Sequence, residues 1–260
     1  MPESDFGLRD VYELKNIRIT IHYIRKIGST QDYARTLLAR GAPEGTLVVS
    51  EAQEAGRGRM GRKWFSPKGG LWMSMILFPK MNASGSNLIG LLAATATAET
   101  IRQLYGVEAN IKWPNDVEIG GRKVGGTLVE AGFRGNTMTH AILGMGINLN
   151  VKRFADELST KATSLQKTLG KPVNRESFLS ALLARFDFLY GVLMRDGSAD
   201  VISRAEDLMP MIGRKISISG AAEKSEGVAL NLCSDGALAV RLSSGALAKL
   251  YAEEVSVSLT

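Results

Sequence analysis

Residues 56–64 read GRGRMGRKW, and how this stretch is understood decides between two kinds of α/β fold. Gly56-x-Gly58-x-x-Gly61 satisfies the dinucleotide-binding fingerprint to the letter, which would imply a doubly wound parallel sheet. The context refuses that reading. Where a Rossmann unit starts a helix, the chain runs Arg62-Lys63-Trp64-Phe65-Ser66-Pro67 and then Gly69-Gly70, and the acidic ribose ligand expected about 20 residues on is missing. A Walker phosphate loop fails too, because Gly61 is followed by Arg62-Lys63-Trp64 and not by Lys-Ser or Lys-Thr. What remains is a glycine-studded loop with Arg57, Arg59, Arg62 and Lys63, and no acidic residue stands between Glu54 and Glu99. Backbone that allows close approach, joined to planar guanidinium donors, suits a carboxylate or phosphate. A solvated basic loop would have the same composition, so its neighbours must decide.

Upstream, residues 17–24 (IRITIHYI) alternate and are β-branched, which predicts a strand. Gly28-Ser29-Thr30 follows, with Tyr33, Ala34, Leu37 and Leu38 at helical spacing, so Ser29 or Thr30 is an N-cap or presents its hydroxyl to a ligand. A turn at 41–45 leads into a short buried strand, 46–50. Downstream, Leu71–Phe78 is almost wholly apolar, as in a strand covered on both faces, and Ser84 or Ser86 caps a helix from about Asn87 to Tyr105. In Ile111–Val117 (IKWPNDV), Pro114 breaks the strand; Asn115 and Asp116 are either turn residues or a polar pair set beside Lys112. A hairpin with Gly120-Gly121 at its tip leads into strand 123–133, which contains Gly125 and Gly126. The next strand, 138–149, contains Gly144, Gly146 and Asn148. Glycines where side chains would normally pack imply something flat lying across the sheet.

The remainder predicts a polar stretch from 151 to 173 with a short helix at 164–169, helices at 174–194 and 199–209, and a boundary at Pro210 to Gly213. Five short strands follow (214–219, 227–232, 237–242, 246–251, 255–259), the pattern of a small SH3-like barrel. The expected organisation is a large domain, 1–210, and a small one, 211–260. The chain has 260 residues, 45% hydrophobic and 22% charged, which excludes a disordered protein. Its net charge of +6 fits a nucleic-acid partner, an anionic substrate or simply a lysine-rich surface. Cys233 is the single cysteine and His22 and His140 the two histidines, so a disulfide, a zinc site or a Cys/His nucleophile pair is not expected. MPESDFGLRD at the start has no apolar run, and Leu88–Ala98 is too short to cross a bilayer. The expectation is a soluble cytoplasmic protein with no membrane partner.

The ordered set GRGRMGRKW, KWPNDV, GRKVGG and GMGIN resembles the biotin protein ligases, closely over about residues 20–150 and in general form at the terminal barrel. The resemblance implies an α/β (α+β) catalytic domain like that of class II aminoacyl-tRNA synthetases. It also implies a two-step reaction: biotin and ATP, with Mg²⁺, give biotinyl-5′-AMP, which then acylates one lysine of a biotin carboxyl carrier protein or domain. Carried onto this chain, the catalytic set is Arg59, Lys112, Asp116 and Lys123. Biotin falls to Ser29, Thr30, Gln31, Gln53, Gly56, Arg57, Gly58, Lys123 and Gly126. ATP and the adenylate fall to Arg57, Arg59, Arg62, Trp64, Lys112, Asn115 and Asn148; metal ligands are not identified. Gln31 departs from the asparagine of many relatives, and Gly125 from a frequent alanine. Fewer than twenty residues precede the first strand, so a DNA-binding domain and specific operator binding are not expected; a homodimer is expected by analogy. Two rivals stand beside this reading. A lipoate protein ligase would share fold and strategy but not the biotin-type motifs, and a nucleic-acid-binding module would interleave basic and aromatic residues along a sheet.

Overall fold

Alternating apolar positions build one large sheet. The computed structural model describes residues 8–220, 225–251 and 255–259. Eight strands, β1 (Val11–Glu13), β2 (Arg18–Ile27), β3 (Thr46–Gln53), β4 (Leu71–Leu77), β5 (Ala109–Lys112), β6 (Asp116–Ile119), β7 (Arg122–Arg134) and β8 (Thr137–Ile147), lie in the order β1-β2-β3-β4-β8-β7-β6-β5. Only β2 and β3 run parallel; every other neighbouring pair is antiparallel. This is a mixed α/β sheet and not a doubly wound one, as the failure of the dinucleotide reading required. The helices are α1 (Thr30–Ala39), α2 (Ser86–Tyr105), α3 (Asp156–Ser159), α4 (Leu165–Leu169), α5 (Arg175–Asp196) and α6 (Ala199–Asp207).

The period of two sorts β4 between two cores. Leu71, Met73, Met75 and Leu77 join the main core with the apolar residues of α2 and α5, while Ile76 joins Val48, Ile142 and Ala34 beneath α1. All seven β4 residues are buried, as expected of a strand covered on both faces. Buried Thr95, Thr97 and Thr100 on α2 donate to carbonyls four residues back, so these hydroxyls are satisfied inside the core. By length and composition α5 could cross a membrane. Its Phe178, Leu182, Phe186 and Leu189 are fully buried in the core, so its apolar character is spent on packing.

Three differences from the sequence reading stand beside one agreement at the site. The second strand runs on to Ile27 and β3 to Gln53, with Ile27 and Gln53 in register, so Gln53 stands opposite the turn at Gly28–Thr30. Pro114 does break the strand at 111–117: the two halves pair antiparallel with Lys112 opposite Asp116, Trp113-Pro114-Asn115 is the turn between them, and Asp116 opens the second strand. The Trp113–Pro114 peptide is cis. Neither Ser84 nor Ser86 caps α2: its N-cap is Gly85, without a side-chain bond. Strand β1, three residues long, carries no periodic signal and was not expected. Gly120 and Gly121 (φ +56° and +71°) do form the hairpin tip, and β6 meets β7 through a register shift beside Gly125.

After α6 come β9 (Lys215–Gly220), β10 (Ser225–Leu232), β11 (Leu238–Leu242), β12 (Leu247–Leu250) and β13 (Val255–Leu259), antiparallel in the order β12-β11-β10-β9-β13. The last strand returns to pair with the first of the five, the closing move of an SH3-like topology. Ile216, Leu232, Leu238 and Val240 belong to the same continuous core as the large sheet.

Candidate active site

One register line crosses the large sheet through Lys112, Asp116, Gly126, Gly146 and Trp72. Partners opposite each other in antiparallel strands direct their side chains to the same face, so the two glycines leave a trough in the middle of that line. Residues 56–64 fold back over it. Trp64 N donates to Gly56 O (2.8 Å) and Gly58 N to Arg62 O (2.7 Å), and Arg59–Gly61 form a single 3₁₀ turn with Met60 at φ +56°. The flat object on the sheet is the chain's own tryptophan: a Cβ at Gly146 would stand 2.5 Å from Trp64 Nε1, and one at Gly126 3.1 Å from its ring. That Nε1 is buried and finds no acceptor among the described residues, so the indole is parked there and not bonded. Between loop and sheet a cavity of about 350 Å³ remains.

One end of the cavity is a chain of hydroxyls and amides. Ser29 caps α1, accepting from Asp32 N (3.4 Å). With the cap made by Ser29, Thr30 is released for other contacts: its N and Oγ1 both donate to Gln53 Oε1 (2.8 and 3.0 Å), and its Oγ1 lies 2.9 Å from Ser74 Oγ. Ser74 Oγ donates to Gln31 Oε1 (2.9 Å), and Gln31 Nε2 donates to Ile142 O (3.0 Å) and Glu130 (3.2 Å). Gly144 exists to admit this chain, because a Cβ there would approach Gln31 Oε1 to 2.7 Å. Gln53 Nε2 donates in turn to Ser66 Oγ (2.9 Å), linking the hydroxyl end to the base of the arginine loop.

The other end is charged. Lys123 Nζ lies 2.6 Å from Asp116 Oδ1 and 4.7 Å from the centre of the Trp64 ring. Lys112 Nζ lies 3.6 Å from Glu118 Oε1; burial pushes the Glu118 carboxyl above its ordinary range, Lys112 pulls it back and Asp116 pushes it further up. Arg57 reaches Asp32 Oδ1 (2.7 Å) and Glu130 Oε1 (3.2 Å), and Arg35 joins the same two carboxylates. Burial would raise the Asp32 carboxyl, but its bonds to Arg35 and Arg57 outweigh that and hold it below the ordinary range. Arg59 Nη1 donates to Asn115 Oδ1 (2.9 Å), while Asn115 Nδ2 donates to Thr127 O (2.6 Å).

Thus Arg59, Lys112 and Lys123, from three separate segments, converge on one cavity. It is also lined by Ser29, Thr30, Gln31, Gln53, Arg57, Gly58, Arg62, Trp64, Asn115, Asp116 and Gly126. Two expected site residues lie outside the lining. Gly56 is glycine because the loop crosses itself there: a Cβ would stand 2.5 Å from both Ser66 Oγ and Trp64 O. Asn148 is buried behind Lys123 and donates to Thr163 O (3.1 Å). Sequence reasoning missed Ser74, although one hydroxyl in the apolar run LWMSMILF was a usable signal. It missed Asp32, Glu118 and Glu130 as carboxylate partners, and it missed Ser219 and Val257, through which the small sheet reaches the cavity. No group of three or more His, Cys, Asp or Glu residues arranged to hold a metal occurs among the described residues.

The sheet, the glycine loop and the trough lie mostly within residues 23–148, which match the model of the biotin/lipoate A/B protein ligase family. Over 258 residues the chain is 34% identical to the bifunctional ligase/repressor BirA of Bacillus subtilis (strain 168), covering 98% of this chain and 78% of that one. It is 33% identical over 218 residues to the biotin–[acetyl-CoA-carboxylase] ligase of Paracoccus denitrificans, covering 80% and 89% respectively. Its fold matches the biotin protein ligase of Aquifex aeolicus solved in complex with biotin and ATP, with TM-score 0.80, 26% identity, and 92% of this chain and 99% of that one covered. The chain belongs to the biotin protein ligases.

Proposed function

We propose that the chain joins biotin to ATP, forming biotinyl-5′-AMP and releasing pyrophosphate, and then transfers the biotinyl group to one lysine of a biotin carboxyl carrier protein or domain. The observation that carries this is the convergence of Arg59, Lys112 and Lys123 on a cavity whose far end is the Thr30–Gln53–Ser74–Gln31 chain. Biotin is apolar except at its ureido ring and its carboxylate. A slot with hydrogen-bonding groups at one end and cations at the other matches both. The Aquifex relative solved with biotin and ATP supports the same pair of substrates.

In the first step a carboxylate oxygen attacks the α-phosphorus and pyrophosphate leaves, so two anions must come within bonding distance. Arg59, Lys112 and Lys123 offset their repulsion, Arg57 and Arg62 close the loop over the product, and Trp64 leaves its parked position to cover the ligand. In the second step the neutral carrier amine attacks the acyl carbonyl carbon, AMP leaves, and Asp116 accepts the proton shed by the new amide nitrogen. Magnesium, which binds through one or two oxygen side chains plus substrate phosphates, fits the Asn115 and Asp116 oxygens at the cavity; bound there, it would neutralise phosphate charge. In the same reading residues 1–210 are the catalytic unit and 211–260 its small appended domain. A homodimer also belongs to it: β7 pairs with β6 only over 122–126, leaving an open edge beyond among the described residues. No DNA partner is included.

The test is biotin-dependent ATP–pyrophosphate exchange with the purified chain, followed by transfer to a purified carrier domain. Exchange that requires biotin is expected. Exchange driven by lipoate and not biotin would move the chain to the rival ligase, and salt-sensitive DNA or RNA binding without any exchange would remove it from catalysis.

A further inference from the structure

Trp113 is 2% exposed, and it lies in the turn that carries Asn115 and leads into Asp116. Its Nε1 donates to Gly236 O at 3.1 Å, across 123 residues of chain. Gly236 belongs to the tight turn between β10 and β11, closed by Cys233 N to Ala237 O and Gly236 N to Cys233 O, both 2.8 Å. At φ +81° it is a left-handed glycine, and a Cβ on it would stand 3.4 Å from Leu88 Cδ2. The turn is therefore wedged between the start of α2 and the indole. Asp235 of the same turn pairs with Lys249 Nζ on β12 at 2.7 Å, which stitches it to the body of the small sheet. On the catalytic side only Pro114, with its fixed φ, separates Trp113 from Asn115, and Asn115 holds both Arg59 Nη1 (2.9 Å) and Thr127 O (2.6 Å).

We infer that Trp113 is a positioning residue: through its indole N–H the small C-terminal sheet braces the 113–116 turn, and Asn115 passes that constraint to Arg59. The inference rests on the proposed ligase reaction, and its reach is confined to the ATP side of the cavity. Thr30, Gln31, Gln53 and Ser74 are held by their own bonds to one another and do not depend on the turn. A buried indole N–H deprived of its acceptor cannot be satisfied by solvent, so the donor fixes ring and turn together.

Trp113→Phe keeps an apolar ring and removes the donor. Its expected effect in ATP–pyrophosphate exchange is a fall in kcat/KM for ATP of about 5- to 10-fold, the size of one lost hydrogen bond, with KM for biotin unchanged within about 2-fold. In an Asn115→Ala background the same change should add less than about 2-fold, because the constraint then has no route to Arg59. Equal losses in both backgrounds, a matching loss on biotin, or wild-type ATP kinetics would overturn the inference. Amide hydrogen exchange reads the brace without activity: Trp113→Phe should speed exchange at Thr127 N–H, which donates to Asn115 O at 3.0 Å. Unchanged protection there would equally refute it. If Trp113→Phe does not fold, Asp235→Asn loosens the same turn from its far side and should shift both readouts in the same direction, more weakly. A wild-type chain without exchange activity but with the brace intact by hydrogen exchange would remove the ligase reading and leave the brace standing.

Discussion

Replacing Gly146 by alanine puts one methyl group into the trough, and the structure fixes what it meets. The new Cβ would stand 2.5 Å from Trp64 Nε1 and 2.6 Å from Cε2, where ordinary contact begins at 3.4 Å, so the indole must withdraw by about 0.9 Å. Trp64 sits on a loop outside the sheet and its Nε1 has no acceptor among the described residues, so withdrawal breaks no hydrogen bond of that nitrogen and leaves strand register intact. The cost to stability should therefore fall at the low end of overpacking, about 1 kcal/mol. The cost to catalysis should be larger, because a misplacement of roughly 1 Å in a positioned site lowers rate by about 100-fold and a single extra methyl in a fitted pocket by 10- to 200-fold. Initial rates of ATP–pyrophosphate exchange at varied biotin and ATP, alongside a thermal unfolding curve, separate the two effects. Gly144→Ala is the contrast: its methyl meets Gln31 Oε1 at 2.7 Å, and Gln31 is buried and bonded on both ends, so stability and biotin KM should suffer together. Gly146→Ala with unaltered kinetics toward both substrates would mean that the trough under Trp64 is not where ligand lies.

Arg59→Ala or Lys123→Ala should each lower adenylate formation by more than about 100-fold, since each removes a fixed cation from where charge develops, and pre-steady-state exchange measures this. Asp116→Ala should damage transfer to the carrier lysine at least as much as adenylation; normal single-turnover transfer from preformed biotinyl-adenylate would contradict its role as proton acceptor. Glu118 gives a pH-dependent prediction. Its folded-state pKa is raised, so the stabilisation it contributes is present below the ordinary glutamate range and is lost as pH rises through the folded value. Glu118→Gln should consequently melt higher than wild type at neutral pH, with the gap closing below about pH 4, and melting curves across pH decide it.

What the sequence made legible was whatever repeats locally. Strands and helices with a clear period appear within a few residues of their expected limits, and Ser29 is a cap as its spacing implied. Where a buried charge interrupts the period, the reading stopped short: β3 seemed to end at Ser50 because Glu51 follows. Glu51 is buried, accepting from Tyr23 Oη (2.8 Å) with Lys68 and Arg175 nearby, and the strand continues to Gln53. The convergence of the site residues was legible only through resemblance, since no spacing rule joins Arg59 to Lys112. Their resting partners were not legible at all. Arg57 meets Glu130 and Trp113 meets Gly236 across long stretches of chain, and pairings of that kind depend on sheet order, which no local pattern encodes.

Those resting partners change how the cations act. Bare lysines and arginines around one cavity would repel one another, and four of the cations that line it lean on oxygens: Arg57 on Asp32 and Glu130, Lys112 on Glu118, Arg59 on Asn115 and Lys123 on Asp116. An incoming carboxylate or phosphate must compete with these oxygens, and the competition has a direction. Asp116 at 2.6 Å from Lys123 can take a proton from the carrier amine only once that ammonium has turned to another anion. On the proposed reaction the substrate anions whose repulsion Lys123 offsets, and after them the acyl phosphate, supply that anion, so Asp116 is released by the time the carrier amine arrives. The order of the two half-reactions is set by the chemistry, since only the adenylate offers an activated acyl carbon and a leaving AMP; the ion pair at the edge of the trough decides when Asp116 can serve the second of them.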